Sequence, residues 1–210
     1  KVRPIVHAWR AERGDGVVAV TTFALTLLWA PHLDKGILAG VGLSLILFLL
    51  RTMRPRFAVL SCARDGTLRD AALHGLATSP KIAVVRFDGA LYFANAGYFE
   101  TKVLGVVADQ PELEFIIIDA EGINQIDSSG EEVLQHLTER LRAQGIDVLL
   151  ARMKHQCVET LRRTGYAERL GEDHFHARIS FALEQAWERL GDRYDRTRCP
   201  LGRQQAAAAG

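Results

Sequence analysis

Two adjacent hydroxyls between a carboxylate and a glycine, Asp127-Ser128-Ser129-Gly130, are the side chains of this sequence best placed to do chemistry. A serine oxygen can attack, accept a phosphate or cap a helix, and its neighbours decide which. A hydrolase elbow requires Gly-x-Ser-x-Gly on a strand-to-helix turn. Neither serine has glycines at those positions, so acyl transfer is not expected. Capping is well supported. Ser128-x-x-Glu131 and Ser129-x-x-Glu132 each fit a capping box, an arrangement worth about 1 kcal/mol. Asp119 and Asp127 form a conceivable carboxylate pair, but aspartates at strand ends ordinarily hydrogen-bond loops, and no catalysis is expected of them.

The remaining reactive groups are scattered. His174 and His176 stand on one side of any strand that carries them, yet a zinc site needs further ligands and none lies nearby. Solvent-facing histidines and no metal are expected. Cys62, Cys157 and Cys199 are odd in number and widely spaced, which fits unpaired thiols in a reducing compartment. No Walker-type phosphate loop occurs, Gly14-Asp15-Gly16 reads as the start of an apolar helix, and no cofactor is expected. With 26 Lys and Arg against 25 Asp and Glu, the net charge of +1 offers no field for nucleic acid.

The elements that must hold these residues alternate between strand and helix. Residues 57–60 and 82–87 are apolar runs with the character of strands, and Asp88-Gly89 predicts a hairpin turn into a third strand over 91–93. Residues 66–79 are polar and mixed, as in a loop. Asn95 is placed to cap a helix to about Ala108, with Phe99, Val103, Val106 and Val107 on one face. Residues 115–119 are too uniformly apolar for an edge and predict a buried parallel strand. A helix from Ser128 to about Ala143 follows, closed by Gly145. Then come a strand over 147–151, a helix over 155–164, an edge strand or linker at 176–179 and a helix over 180–190. This order predicts right-handed parallel crossovers with helices covering a sheet. From Gly191 the sequence is charged and then Ala/Gln-rich, so 191–210 is expected to be a disordered tail.

Upstream, residues 17–50 carry only His32, Asp34 and Lys35 as ionisable groups. Apolar segments 17–30 and 36–50 flank Pro31-His32-Leu33-Asp34-Lys35, where proline ends a helix and the charges require water. Each is short against the roughly 20 residues that cross a bilayer core unless its flanks complete it. A membrane hairpin is expected, with a buried soluble hairpin as the alternative. Lys1, Arg3, Arg10 and Arg13 before it, and Arg51, Arg54 and Arg56 after it, place both ends in the cytoplasm. That makes 1–16 a cytoplasmic lead-in and 55–190 a cytoplasmic domain. Gly36, Gly40 and Ser44 form a small-residue stripe suited to close packing of another membrane helix. Lacking an initiator Met and a signal-peptide cleavage site, the chain is expected to be the C-terminal piece of a longer protein.

Arg86-Phe87-Asp88-Gly89-Ala90-Leu91-Tyr92-Phe93-Ala94-Asn95-Ala96, Ile116-Ile117-Ile118-Asp119 and Ile126-Asp127-Ser128-Ser129-Gly130 together resemble a STAS domain. More specifically, they resemble the cytoplasmic STAS domain of SulP-type sulfate/anion permeases. Residues 40–45 and 49–55 resemble the last transmembrane helix of those permeases and its exit, so the resemblance covers about residues 10–190. It implies an α/β fold, a STAS-like mixed sheet with covering helices, preceded by a short transmembrane helical hairpin. It also implies a multi-pass inner-membrane transporter built from inverted repeats, whose anion-holding helices lie upstream, so no substrate-binding residue falls in this chain. The implied partners are the upstream membrane helices, an inorganic or small organic anion as cargo, a second copy of the chain and an acyl carrier protein. The implied role of the domain is regulation, folding or trafficking, or dimerisation.

In soluble anti-sigma-factor antagonists, which resemble this domain, the second serine of the motif is phosphorylated; by position that is Ser129. A phosphate there would meet a helix N-terminus and add about two negative charges, although Glu131 and Glu132 would repel it. A phosphorylation-controlled binding module is therefore the alternative function, beside plain capping with partner contact.

Overall fold

A computed structural model describes residues 13–202, in two compact units that divide between Arg54 and Pro55. Lys1, Arg3 and Arg10 of the lead-in, and residues 203–210 of the tail, lie outside the described residues.

The first unit is a pair of helices, α1 (Arg13–Leu28) and α2 (Leu33–Met53). Both differ from the apolar segments at their ends: α1 begins four residues before Val17, and α2 takes in Leu33-Asp34-Lys35 and Arg51-Thr52-Met53. The 21 residues of α2 rise about 31 Å, close to a hydrocarbon core of about 30 Å. Among the described residues α2 alone is long and apolar enough to cross a membrane; the apolar part of α1 is shorter. The outward surface is apolar, with Leu28 77% and Leu38 70% exposed. Unpartnered apolar surface of this extent marks an interaction or membrane surface.

Gly36 and Gly40 are buried against α1. A Cβ on Gly36 would lie 2.7 Å from Thr26 Cα, and one on Gly40 2.7 Å from Thr22 Oγ1. The helix that approaches these glycines is thus the other arm of the hairpin. Ser44, further along the stripe, is exposed.

The second unit is a six-stranded mixed sheet, β1 (Arg56–Cys62), β2 (Leu68–Asp70), β3 (Ile82–Asp88), β4 (Phe115–Asp119), β5 (Asp147–Ala151) and β6 (Phe175–His176). The spatial order is β2-β1-β3-β4-β5-β6, with β1 antiparallel to both neighbours and the rest parallel. From β3 to β6 each crossover steps the same way. Right-handed connections then put all the intervening helices on one face. These are α4 (Ala96–Asp109), α5 (Ser128–Ala143), α6 (His155–Arg163) and α7 (Tyr166–Leu170). Phe99, Leu134, Leu137, Leu141 and Leu161 meet Val85, Phe87, Ile116 and Ile118 there. The alternate strand residues Val84, Ile117 and Leu149 face the opposite layer, α8 (Ile179–Leu190). The run at 115–119 is buried throughout because both its faces are covered.

Three expectations are corrected. Residues 91–93 form no hairpin strand. Leu91 crosses under the β4–α5 loop, making a parallel bridge with Ile126, and β3 takes β1 as its antiparallel neighbour. The stretch 66–79 is not all loop: it holds β2 and a short helix α3 (Ala71–His74), capped by Asp70 through Ala72 N and Leu73 N. Most consequential, residues 191–202 fold as three 3-10 turns rather than a disordered tail. Cys199 and Leu201 are buried beside Ala58 and Leu60, on the face that α8 covers, and Tyr194 OH lies 2.7 Å from Ser79 Oγ. Two apolar residues isolated among charges leave no periodic signature, which is why the sequence reading misses them.

Candidate functional site

At the carboxyl end of the parallel strands, the loops after β3, β4 and β5 converge around Asp127. Asp127 occupies the N-cap of α5, and its Oδ1 accepts from Gly130 N at 2.8 Å. Its Oδ2 accepts from Phe93 N at 3.0 Å, so one carboxylate caps the helix and anchors the neighbouring loop. Backbone bonds complete the tie: Leu91 N donates to Gln125 O at 2.8 Å and Asp127 N to Leu91 O at 3.1 Å. Gly130 is dictated by the same approach, since a Cβ there would sit 2.8 Å from the Leu91 carbonyl carbon.

The capping boxes of Ser128 and Ser129 are therefore not made. Ser128 is exposed and Ser129 half-buried, and neither hydroxyl has a hydrogen-bond partner among the described residues. Among the described residues no imidazole bonds either of them, so none forms a nucleophile–base pair with them. Beside them Phe93 is 73% exposed, its ring edge-on to Tyr92 at 5.6 Å. Phe93 escapes the sequence reading because it looks like a strand residue. Asn95 precedes α4 without capping it: its Oδ1 accepts from Tyr92 N and its Nδ2 donates to Ala90 O, folding the loop back on itself.

Asp119 does not pair with Asp127 as a catalytic dyad. Its side chain is fully buried and gripped by Arg152, Nε to Oδ1 at 3.0 Å and Nη2 to Oδ2 at 2.6 Å. Arg152 also reaches Glu121 at 2.8 Å, and Arg86 binds Asp88 at 2.6 Å, which pushes the Arg86 guanidinium pKa up. Arg152 holds a left-handed backbone, φ 58°, unusual for a residue with a side chain. Lys154 and Gln156 close the rim by donating to Asn124. Nothing in the sequence announces Arg152, because its role depends on that backbone turn.

The two histidines are not the solvent-facing pair expected. His174 is 8% exposed, between Asp147 at 3.2 Å and Asp173 at 2.9 Å, whereas His176 bonds Gln185. Arg189 also binds Asp147. Burial pushes the Asp147 pKa up, but the His174 bond and charge, with Arg189, outweigh it and leave the carboxyl below its usual range. No group of three His, Cys, Asp or Glu suited to a metal occurs among the described residues. All three cysteines are buried, and none forms a disulfide among the described residues.

A helix-covered mixed sheet of this strand order, with a serine-bearing loop beside an exposed aromatic, defines an α/β domain of the STAS type. The chain belongs to the STAS domain family, whose profile matches residues 75–182, half of its length. It is similar to "Probable sulfate transporter 4.2" of Arabidopsis thaliana, 29% identical over 191 residues, covering 85% of this chain and 28% of that protein. A probable sulfate transporter of Mycobacterium tuberculosis is 30% identical over 182 residues, covering 83% of this chain and 31% of its own. In fold it matches the murine Slc26a9 anion transporter in the inward-facing state, with a TM-score of 0.76 at 22% identity, over 86% of this chain and 30% of that one. The chain thus spans about three tenths of the length of the relatives it matches.

Proposed function

We propose that this chain is the C-terminal part of a SulP-type secondary anion transporter, in which the hairpin ends the membrane domain and the STAS domain is its cytoplasmic control element. Upstream helices of the same protein would hold the anion. The observation that carries the reading is the pairing of a lipid-compatible hairpin with this domain in one alignable stretch. The similarity to the Arabidopsis sulfate transporter covers 85% of the chain, and residues 55–210 alone are only about three quarters of it. The alignment therefore reaches into the hairpin. Regulation, folding or trafficking, and dimerisation with a second copy all fit such a domain. The relatives described give no support for an acyl carrier protein as partner.

Single-cysteine labelling in intact cells tests the topology, because the native thiols are buried. His32→Cys at the hairpin tip should react with a membrane-impermeant maleimide from outside, and Ser128→Cys only after permeabilisation. Labelling of Ser128→Cys from outside, or of neither site before permeabilisation, would refute the arrangement.

A second reading is favoured by the unpartnered serines. Because Asp127 does the capping, Ser129 is available for phosphorylation and switching of a partner. Ser129→Ala and Ser129→Asp should then shift partner affinity in opposite directions, and equal binding by both and by the parent would remove that reading.

A further inference from the structure

Away from the serine loop, the short helix α3 and the end of α4 bound a cleft of about 350 Å³. Val59 of β1, Leu76 and Val106 of α4 supply its apolar surface. Val59 packs against the same cluster that holds Val106, so the cleft opens on the helix-covered face of the sheet. Ala72 and Asp109 also line it and are exposed, which makes it a groove open to solvent. Side chains of a docking chain can enter such a groove while their backbone stays outside.

The rim of the groove is anionic and uncompensated. Asp109 ends α4 at the negative pole of the helix dipole, where a carboxylate is disfavoured and a cation is stabilised. That last turn holds no basic residue, and Lys102, the one cation of α4, lies 5.6 Å over the Tyr98 ring. No Lys, Arg or His lines the groove, and the Asp109 side chain has no ion pair or hydrogen bond among the described residues. Gln110, the next residue of the lining, keeps a buried side-chain oxygen that no donor reaches.

We propose that this groove docks a basic amphipathic segment of a partner protein. An apolar side chain of that segment sits on Val59, Leu76 and Val106, and a neighbouring lysine or arginine meets Asp109. The stem of such a cation lies along apolar wall while its head reaches the carboxylate. Burial of the apolar side chain supplies most of the affinity, and the opposite charges select the partner and speed the encounter. An acidic segment would set like charge against Asp109 and the helix end. The site is independent of the serine loop and of the transporter reading.

Methyl NMR of the full chain in uncharged detergent micelles tests it with two acetylated, amidated tetrapeptides, Leu-Arg-Leu-Arg and Leu-Glu-Leu-Glu. The basic peptide should shift the methyls of Val59, Leu76 and Val106, and less so as salt is raised; the acidic one should not. Asp109→Asn alters an exposed side chain, so its circular dichroism should match the parent while affinity falls about two- to fivefold, the worth of an exposed ion pair. Ala72→Arg, also at an exposed position, puts a cation in the groove itself and should weaken binding roughly tenfold or more. Equal binding of the two peptides overturns the site, as does undiminished binding by Ala72→Arg. Shifts confined to the methyls of the hairpin would overturn it too. So would concentration-dependent shifts of the same three methyls without peptide, which would make a second copy of the chain the occupant.

Discussion

Removing the Asp127 carboxylate should cost far more than removing either serine hydroxyl. Asp127 accepts from Gly130 N at 2.8 Å and from Phe93 N at 3.0 Å. Hydrogen bonds to a charged group contribute about 1.5–3 kcal/mol each, and partial exposure of Asp127 places both at the low end, since water can replace the lost acceptor. Asp127→Ala should therefore destabilise the loop pair by about 2–3 kcal/mol, roughly a 30- to 150-fold change in an opening equilibrium. Asp127→Asn should cost about half, because the amide oxygen keeps one acceptor while its NH₂ opposes the second N–H. Ser128→Ala and Ser129→Ala should change little, since neither hydroxyl has a partner to lose among the described residues. Hydrogen exchange of the full chain in micelles reads the Gly130 and Phe93 amides directly. Protection lost equally in Ser129→Ala and Asp127→Ala would show that serine caps the helix after all.

Other consequences follow from the same geometry. Gly130→Ala forces a methyl against the Leu91 backbone, and overpacking of this kind costs about 1–3 kcal/mol; Gly105→Ala, mid-helix with nothing within 4 Å, should stabilise instead by roughly 0.5–1 kcal/mol. Urea unfolding of both variants checks the contrast, and a neutral Gly130→Ala would refute the close approach. Arg152→Ala strands the fully buried Asp119 and should cost about 3–5 kcal/mol, read as a lowered melting temperature that Arg152→Lys only partly restores. The β6 edge should loosen with acid in two stages. Burial lowers the His176 pKa, so its contribution is complete above its ordinary value of 6.5 and fades as pH falls below it. Asp147, also held low, contributes fully above 3.8 and fades as pH drops through its folded value. Amide exchange at Phe175 and His176 across pH 7 to 3 measures both, and uniform protection throughout would contradict the assignment.

The sequence discloses the central strands and covering helices because their burial is periodic. The run at 115–119 is apolar on both faces, and the helix from Ser128 buries one stripe. What it hides are features made by tertiary approach. Leu91 looks like the first residue of a hairpin strand, and only its bridge to Ile126 shows that it passes beneath another loop. Arg152 needs a left-handed turn to reach Asp119, which no local pattern encodes. Residues 191–202 are charged in composition, and their order rests on Cys199 and Leu201 closing a face that also holds Ala58 and Leu60, distant in sequence. The four residues of the Asp-Ser-Ser-Gly motif were visible at once, but the division of labour among them was not.

That division bears on what a phosphate could do. The outer residues are committed to the fold, Asp127 by its two backbone donors and Gly130 by the Leu91 backbone, while the inner serines have no hydrogen-bond partner among the described residues. An added negative charge at Ser129 cannot simply take the helix N-terminal donor, because Asp127 already holds Gly130 N, and Glu131 lies in the same first turn. Two like charges a few ångströms apart repel, and the bond with less helical support is the one from Phe93 N. A charge at Ser129 should therefore release the Phe93 loop before it unwinds α5. Ser129→Asp should accelerate amide exchange at Phe93 while leaving the amides from Leu134 onward protected. Faster exchange along the whole helix, or none at Phe93, would mean that this loop does not transmit the charge.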